Sequence, residues 1–226
     1  QVAAVPGIER VRYTSPHPKD IRDDVIAVHR DVPEVCPHIH LPAQSGSTRV
    51  LKAMRRTYDR DRYLALVDRI REAVPDIALT TDLIVGFPGE TDEDFADTLS
   101  LVQTVGYDGA YTFVYSPRPG TEAGESMDDD VPPEVKSQRI AALIEVVQQT
   151  ARGRLARHVG TVAPVLVEGV SRTDDSRMSG RTGHNVTVNF SGDATPGAIV
   201  PVAIEASTSA TLAGTGAVVA QPAGAA

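Results

Sequence analysis

Cysteine is nearly absent from this 226-residue chain, which has Cys36 alone. A single thiol excludes an internal disulfide and fits a reducing compartment. No run of about 18 consecutive apolar residues occurs, and residues 1–6 lack the charged and apolar regions of a signal peptide. The expectation is a soluble, cytoplasmic protein. Positive charge is also short: the formal net charge is -8, which excludes blanket attraction to nucleic acid and leaves any RNA contact to local basic patches. The chain does not open on Met and enters at once on a strand-like pattern, so it reads as a piece of a longer sequence.

What is present is a core and an alternation. Hydrophobic residues make up 41% of the chain, enough to bury one large or two small cores. Up to about residue 156, strand and helix patterns alternate. A strand over 8–14 leads to a helix over 20–30 with Ile21, Val25 and Val28 at helical spacing. A strand over 38–42 precedes helices over 47–56 and 60–74, the second striped by Tyr63, Val67, Ile70 and Val74. A third strand over 77–85 is followed by Thr91, an N-cap with Asp94 three residues on, opening a helix whose Phe95, Leu99 and Val102 face inward. A fourth strand over 110–115 runs into a proline-rich loop, and after Pro132-Pro133 a long helix carries Ile140, Leu143, Ile144 and Val147. Strand-helix repetition of this kind predicts an α/β fold with a parallel sheet, doubly wound or part of a barrel, with ligands at the carboxyl ends of the strands. If the strand over 8–14 forms a free sheet edge, self-association should follow.

Beyond residue 157 the pattern becomes five short β-rich runs, at 162–168, 177–182, 186–190, 199–206 and 211–219, which predict a small closed barrel. This stretch holds four bases against five acids, while residues 1–156 hold 18 against 25, so Arg172, Arg177 and Arg181 are not swamped. The expected organisation is a barrel part over 1–156, a β-module over 157–220 and a disordered Ala/Gly/Pro tail over 221–226.

The loops after the strands are where chemistry is expected. Gln44-Ser45-Gly46-Ser47 places amide and hydroxyl groups beside a helix N-terminus, suited to a hydroxyl- or carboxylate-bearing ligand; the simpler reading is that Ser47 caps the helix. Gly86-Phe87-Pro88-Gly89-Glu90 ends the most apolar strand, and its glycines allow backbone to approach a flat group. Asp82 shares a strand face with Ile84 and Gly86, where a carboxylate needs a partner or a ligand. His38 and His40 share a face with Pro42 and Gln44; further ligands at metal spacing are missing, so His40 is read as a hydrogen-bonding group lining the pocket and no metal is assigned. Between Arg49 and Arg62 stand six bases against two acids, readable as an RNA patch or as a solvated helix face.

Taken in order, the stretches His17-Pro18, His40-Leu41-Pro42-Ala43-Gln44-Ser45-Gly46-Ser47, Arg49 through Arg56, Thr81 through Thr91 with its Gly-Phe-Pro-Gly-Glu, and Phe113-Val114-Tyr115-Ser116-Pro117-Arg118-Pro119-Gly120-Thr121 resemble the MiaB-type radical-SAM tRNA methylthiotransferases. Downstream, Leu166-Val167-Glu168-Gly169, Ser179-Gly180-Arg181-Thr182, Asn185 and Val188-Asn189-Phe190 are similar to a TRAM domain, an RNA-binding β-module. The Gln-Ser-Gly-Ser tetrad and the TRAM run favour the isopentenyladenosine branch. The ribosomal-protein and threonylcarbamoyladenosine branches, and a non-catalytic RNA-binding module, are the alternatives.

The resemblance implies a partial radical-SAM barrel followed by a TRAM barrel, with S-adenosylmethionine across the strand ends and transfer of a methylthio group to C2 of a prenylated adenosine. It would place the cofactor near His40, Gln44, Ser45, Ser47, Asp82, Gly86, Pro88 and Gly89. Glu90 falls one place later than the superfamily's usual acid, which weighs against direct contact. RNA contact would fall to Arg118, Arg181, Asn185 and Asn189, with the arginines on phosphate. Implied partners are tRNA at its anticodon stem-loop, together with sulfur-donor and electron-donor proteins, and no membrane. The family's two 4Fe-4S clusters take about three or four cysteine thiolates each, so their ligands are absent from this chain, and alone it should be inactive.

Overall fold

The computed structural model describes residues 1–14 and 16–216, in two compact units, Gln1–Ala151 and Arg152–Ala226. The last expected strand is therefore seen only to Gly216, and the tail over 221–226 lies outside the described residues.

The first unit is built on three parallel strands in the order β1 (His38–His40), β2 (Ala78–Val85) and β3 (Gly109–Val114). Between and after them come α1 (Asp23–Asp31), α2 (Thr48–Ala53), α3 (Arg60–Ala73), α4 (Asp92–Val105), α5 (Glu122–Ser126) and α6 (Pro133–Ala156), the last running on into the second unit. Strand alternation sorts the sheet into two unlike faces. Ile39, Leu79, Leu83 and Val85 point into a core with Tyr63 and Ile70 of α3, Leu101 and Val102 of α4, and Leu143 of α6. The other face carries His40, Thr80, Asp82, Ile84, Tyr111 and Phe113, with Asp82 in register with Tyr111 and Ile84 with Phe113. Tyr111 is 64% and Phe113 50% exposed. Helices packed on one face only are the signature of a barrel segment rather than a doubly wound sheet, because a barrel keeps its other face for the interior.

Three expectations for this unit are corrected. Residues 8–14 form no strand; Val11 makes one isolated parallel bridge to Val35. Side chains do the pinning instead: the Tyr13 hydroxyl lies 2.6 Å from Nε2 of His29, whose Nδ1 is 3.1 Å from the Cys36 carbonyl. The free edge expected at 8–14 therefore does not exist in that form. In α1 the helix starts at Asp23, after a 3-10 turn over Pro18–Asp20, so Ile21 is buried outside the helix, Val28 is exposed, and Ile26 and His29 make the inner face. In α4 and α6 the expected stripes hold at Val102, Leu143 and Val147, with Phe95, Leu99 and Ile140 partly buried against the core, and polar residues join them: Asp94 and Thr98 are buried on α4. Lys136 and Arg139 are buried at the start of the α6 stripe, and Ile144 is exposed.

The second unit is a closed barrel of β4 (Val162–Val170), β5 (Met178–Thr182), β6 (Thr187–Ser191), β7 (Ile199–Ser207) and β8 (Thr211–Gly216), in the order β4-β5-β6-β8-β7. Every neighbouring pair is antiparallel except β6 and β8. Alternation puts Val165, Val167, Val188, Phe190, Val202, Ile204 and Leu212 inside. Gly180 and Gly214 must be glycine, since a Cβ there would meet the Leu166 and Ala203 carbonyls of the adjacent strands. Closure removes the open edges that such short strands would otherwise present. Phe190 is 1% exposed at the centre. Phe190→Ala should therefore cost roughly 3–5 kcal/mol, read as a lower urea midpoint by circular dichroism.

Candidate functional site

The carboxyl ends of β1, β2 and β3 open into a cleft of about 800 Å³. Gln44 comes from the loop after β1, Asp82 and Ile84 from β2, Phe87 from the loop after it, and Phe113, Tyr115 and Arg118 from the end of β3 and beyond. Met54, Arg55 and Arg56, after α2, and Glu122 of α5 complete the wall.

Gln44 reaches the cleft because its backbone continues the sheet past β1. Its N–H donates to the Asp82 carbonyl (2.8 Å), its own carbonyl accepts from Ile84 N–H (2.9 Å), and its φ of 69° turns the chain. The rest of the tetrad turns inward. The Thr98 hydroxyl accepts from Gly46 N–H (2.9 Å) and stands 3.4 Å from the Ser45 hydroxyl. Ser47 caps α2 by accepting from Val50 N–H and donates its own hydroxyl to Oδ1 of Asp94 (2.6 Å). Ser45 and Ser47 are 1% and 2% exposed. They brace the wall and do not line it, which favours the capping reading.

Asp94 gathers these bonds. Besides Ser47 it accepts from Thr91 N–H (2.8 Å), the Thr91 hydroxyl (2.9 Å) and the Arg49 guanidinium. Thr91 and Asp94 form the reciprocal box expected at this helix start. Burial opposes ionisation of Asp94, but the bonds from Arg49, Ser47 and Thr91 outweigh it and hold the carboxyl well below the usual range.

The Gly-Phe-Pro-Gly-Glu loop is fastened from behind. Glu90, whose side chain is fully buried, accepts through Oε1 from Gly86 N–H (2.9 Å) and from Nη1 of Arg139 (2.8 Å). Its Oε2 is shielded and has no hydrogen-bond partner among the described residues. Burial pushes the Glu90 carboxyl up, against the pull of Gly86 and Arg139. Gly86 has φ of 70°, and a Cβ there would strike the Lys136 stem. Gly89 N–H donates to Asp130 (2.6 Å) and its carbonyl accepts from Arg49 (2.5 Å). Phe87 alone of this loop lines the cleft, edge-on to Tyr115 with ring centres 5.1 Å apart; Gly86, Pro88 and Gly89 stand behind it.

On the open sheet face the two histidines share one hydroxyl. His38 Nε2 and His40 Nδ1 each lie 3.0 Å from Thr80 Oγ1, and His40 Nε2 is 3.3 Å from Asp82 Oδ1. His40 thus orients the Asp82 carboxylate that lines the cleft, without lining it itself. Burial lowers the His38 pKa to about 4, helped by the positive charge of Arg12.

The RNA candidates separate. Arg118 lies on the cleft wall of the first unit. In the second, Arg181 donates to Glu168 (3.1 Å) and to Oδ1 of Asn185 (3.3 Å), while Asn189 sits partly exposed on β6 between the inward Val188 and Phe190. Phe113, Tyr115 and Glu122 carry no cofactor or RNA reading in the sequence, whereas Arg55 and Arg56 belong to the basic run that reads either as an RNA patch or as a solvated helix face.

The donor set suits adenosylmethionine: a carboxamide, an oriented carboxylate for an ammonium, and aromatic faces for a flat base, in a volume of the right class. It does not suit an iron-sulfur cluster. Cys36 is buried with Arg12 against its sulfur, and no group of three His, Cys, Asp or Glu among the described residues is placed to hold a metal.

Residues 2–102 match the Radical SAM superfamily and residues 156–215 the TRAM domain. The chain carries a radical-SAM region and a TRAM domain. A solved structure of coproporphyrinogen III oxidase (HemN) from Escherichia coli, described as a Radical SAM enzyme, superposes with a TM-score of 0.50 at 20% identity, over 74% of this chain and 45% of that one, and shares the fold. Three proteins named tRNA-2-methylthio-N(6)-dimethylallyladenosine synthase are much more similar in sequence. The one from Acetivibrio thermocellus is 53% identical over 86% of this chain and 40% of its own length. That from Acidothermus cellulolyticus is 52% identical over 88% and 41%, and that from Clostridium perfringens 48% identical over 85% and 43%. The radical-SAM and TRAM parts together thus span about two fifths of these relatives. No helix among the described residues is long and apolar enough to cross a membrane.

Two acid-limb measurements test the electrostatics of the radical-SAM region. Asp94, depressed in the folded state, contributes stability that is complete above about pH 4 and is lost as pH falls. Asp94→Asn should lower stability by roughly 1–3 kcal/mol at pH 7, and its difference from the parent should shrink toward pH 2 in urea titrations. His38, also depressed, contributes fully above about pH 6.5 and loses up to about 3 kcal/mol as pH falls toward 4. His38→Gln should flatten that part of the profile.

Proposed function

We propose that the protein to which this chain belongs is a cytoplasmic tRNA methylthiotransferase that adds a methylthio group to C2 of a prenylated adenosine near the anticodon. In this reading the radical-SAM region cradles adenosylmethionine and the TRAM barrel grips the RNA. The observation that carries it is the joining, in one chain, of a strand-end cleft with an oriented carboxylate to a TRAM barrel, in a sequence about half identical to the named synthases.

Gln44 offers its carboxamide to the ribose or amino-acid part of the cofactor. Asp82, held by His40, accepts from the ammonium. Gly86, Pro88 and Gly89 give Phe87 a rigid backing for the adenine, while Ser45 and Ser47 fix the wall from which Gln44 projects. Adenosylmethionine bound there supplies the radical and methyl chemistry of the transfer; the iron-sulfur ligands which that chemistry requires are not among these residues. In the TRAM barrel, Arg181 and Asn185 form a coupled donor pair for phosphate and sugar, with Asn189 on the adjacent strand.

Equilibrium dialysis with labelled adenosylmethionine tests the cradle. The chain should bind it, and Asp82→Asn should weaken binding by about tenfold, the loss of one charge-assisted hydrogen bond. Failure of the parent chain to bind would remove the cradle. The substrate is tested by nucleoside analysis of tRNA from a gene deletion, where the methylthio mark on prenylated adenosine should vanish. Its persistence, with loss of the mark from a ribosomal protein, would move the activity to the other branch.

A further inference from the structure

The basic run divides by what its members touch. Arg49 is spent on Asp94 and the Gly89 carbonyl. Arg60 donates to the carbonyls of Gly46 (3.1 Å) and Asp97 (2.6 Å) and to Ser100 (3.1 Å), and Arg62 stands 3.6 Å from Asp59. These three hold helix ends in place. Arg55 and Arg56 do something else. They follow the end of α2, where Arg55 takes a left-handed φ of 59°, uncommon for a residue with a side chain. The reversal brings both side chains to the wall of the cleft, which Arg118 also lines.

Neither arginine is used up there. The Arg55 fork is filled by Glu122, with Nε to Oε2 at 2.9 Å and Nη2 to Oε1 at 2.6 Å, but the two side chains are 74% and 52% exposed. An ion pair so open to water holds weakly and exchanges readily. Nε of Arg56 is shielded from solvent and has no hydrogen-bond partner among the described residues, a state that a buried donor resists. A guanidinium fork accepts a carboxylate and a phosphate in the same bidentate geometry. The turn that carries Glu122 is braced internally, by Thr121 hydroxyl to the Arg118 carbonyl (2.7 Å) and Gly120 N–H to Glu125 (2.9 Å). It therefore keeps its shape when Glu122 lets go. Phe113 and Tyr115 in the same cleft offer flat faces to an unstacked base.

We propose that Arg55, Arg56 and Arg118 form a phosphate-binding rim on the radical-SAM region, which takes backbone phosphates of the RNA strand whose base enters the cleft. Glu122 fills the Arg55 fork until the strand displaces it. This rests on the RNA-modifying reading above and adds a second RNA contact to that of the TRAM barrel.

The test is fluorescence anisotropy of a labelled RNA stem-loop with the full 226-residue chain, across about 50–200 mM salt. Arg55→Gln and Arg56→Gln should each weaken binding and lower the slope of log affinity against log salt by about 1. Glu122→Gln should tighten binding, because a competing anion is gone; a merely structural ion pair would leave affinity unchanged or reduced. If the parent binds RNA and all three variants match it in affinity and slope, the rim is wrong and the RNA reading stands. If the parent binds no RNA at the lowest salt, both fall. Should circular dichroism show either arginine variant misfolded, Glu122→Gln decides alone, and absence of tightening overturns the rim. Inorganic phosphate at fixed ionic strength should not stabilise the chain to heat; a stabilisation lost in Arg55→Gln would assign the rim to a free phosphate and overturn the strand proposal.

Discussion

The Asp94 carboxylate is the point at which the two loops framing the cleft meet. It receives Ser47 from the start of α2, Thr91 from the start of its own helix, and Arg49, which also holds the Gly89 carbonyl. An ionised carboxylate at the N-terminus of α4 is favoured by the free N–H groups there. One buried charge thereby ties the start of α2 to the Gly86–Glu90 turn and the start of α4. Without it, the two loops would lose this direct tie, and their separation would rest on the Gln44 backbone bonds to β2, the Gly46–Thr98 bond and Glu90.

A second buried carboxylate works the same way one turn earlier. Glu90 ties the Gly86 N–H to Arg139 of α6, so the loop behind the cleft is braced by the last helix of the first unit. Both acids belong to the structural layer behind the cleft. The group facing it is Asp82, placed on the open side of β2 by strand alternation and aimed by His40. The separation suits a binding site: Asp94 and Glu90, which fix geometry, are shielded from solvent, and Asp82, which lines the cleft, is less so.

The arginines show the same sorting. Six bases crowd residues 49–62, and of the five arginines among them three are consumed in fastening helix ends and two reach the cleft wall. The difference comes from one backbone reversal at Arg55 and not from side-chain chemistry, which is common to all five arginines of the run.

Periodicity made the α/β alternation, the inward faces of α3 and β2, the Thr91–Asp94 box and the five-stranded barrel legible, because each depends on neighbours within a few residues or on strict alternation. The ordered motifs likewise contain Gln44 and Asp82, which line the cleft. Pairing across longer distances was not legible: residues 8–14 look like a strand but are pinned by Tyr13 and His29, and Asp94 and Thr98 share the inward side of α4 with its apolar residues because of their partners Ser47, Arg49 and Gly46. Ser45 and Ser47 have the residue types of ligand contacts and serve as braces, since their partners, Thr98 and Asp94, are about fifty residues away in the chain. Local order and the identity of the chemical groups were thus determined by the sequence alone. Which of those groups lines the cleft was decided only by tertiary structure, because distant partners draw Ser45 and Ser47 into the wall while strand alternation and the Arg55 turn leave Asp82 and Arg55 facing the cleft.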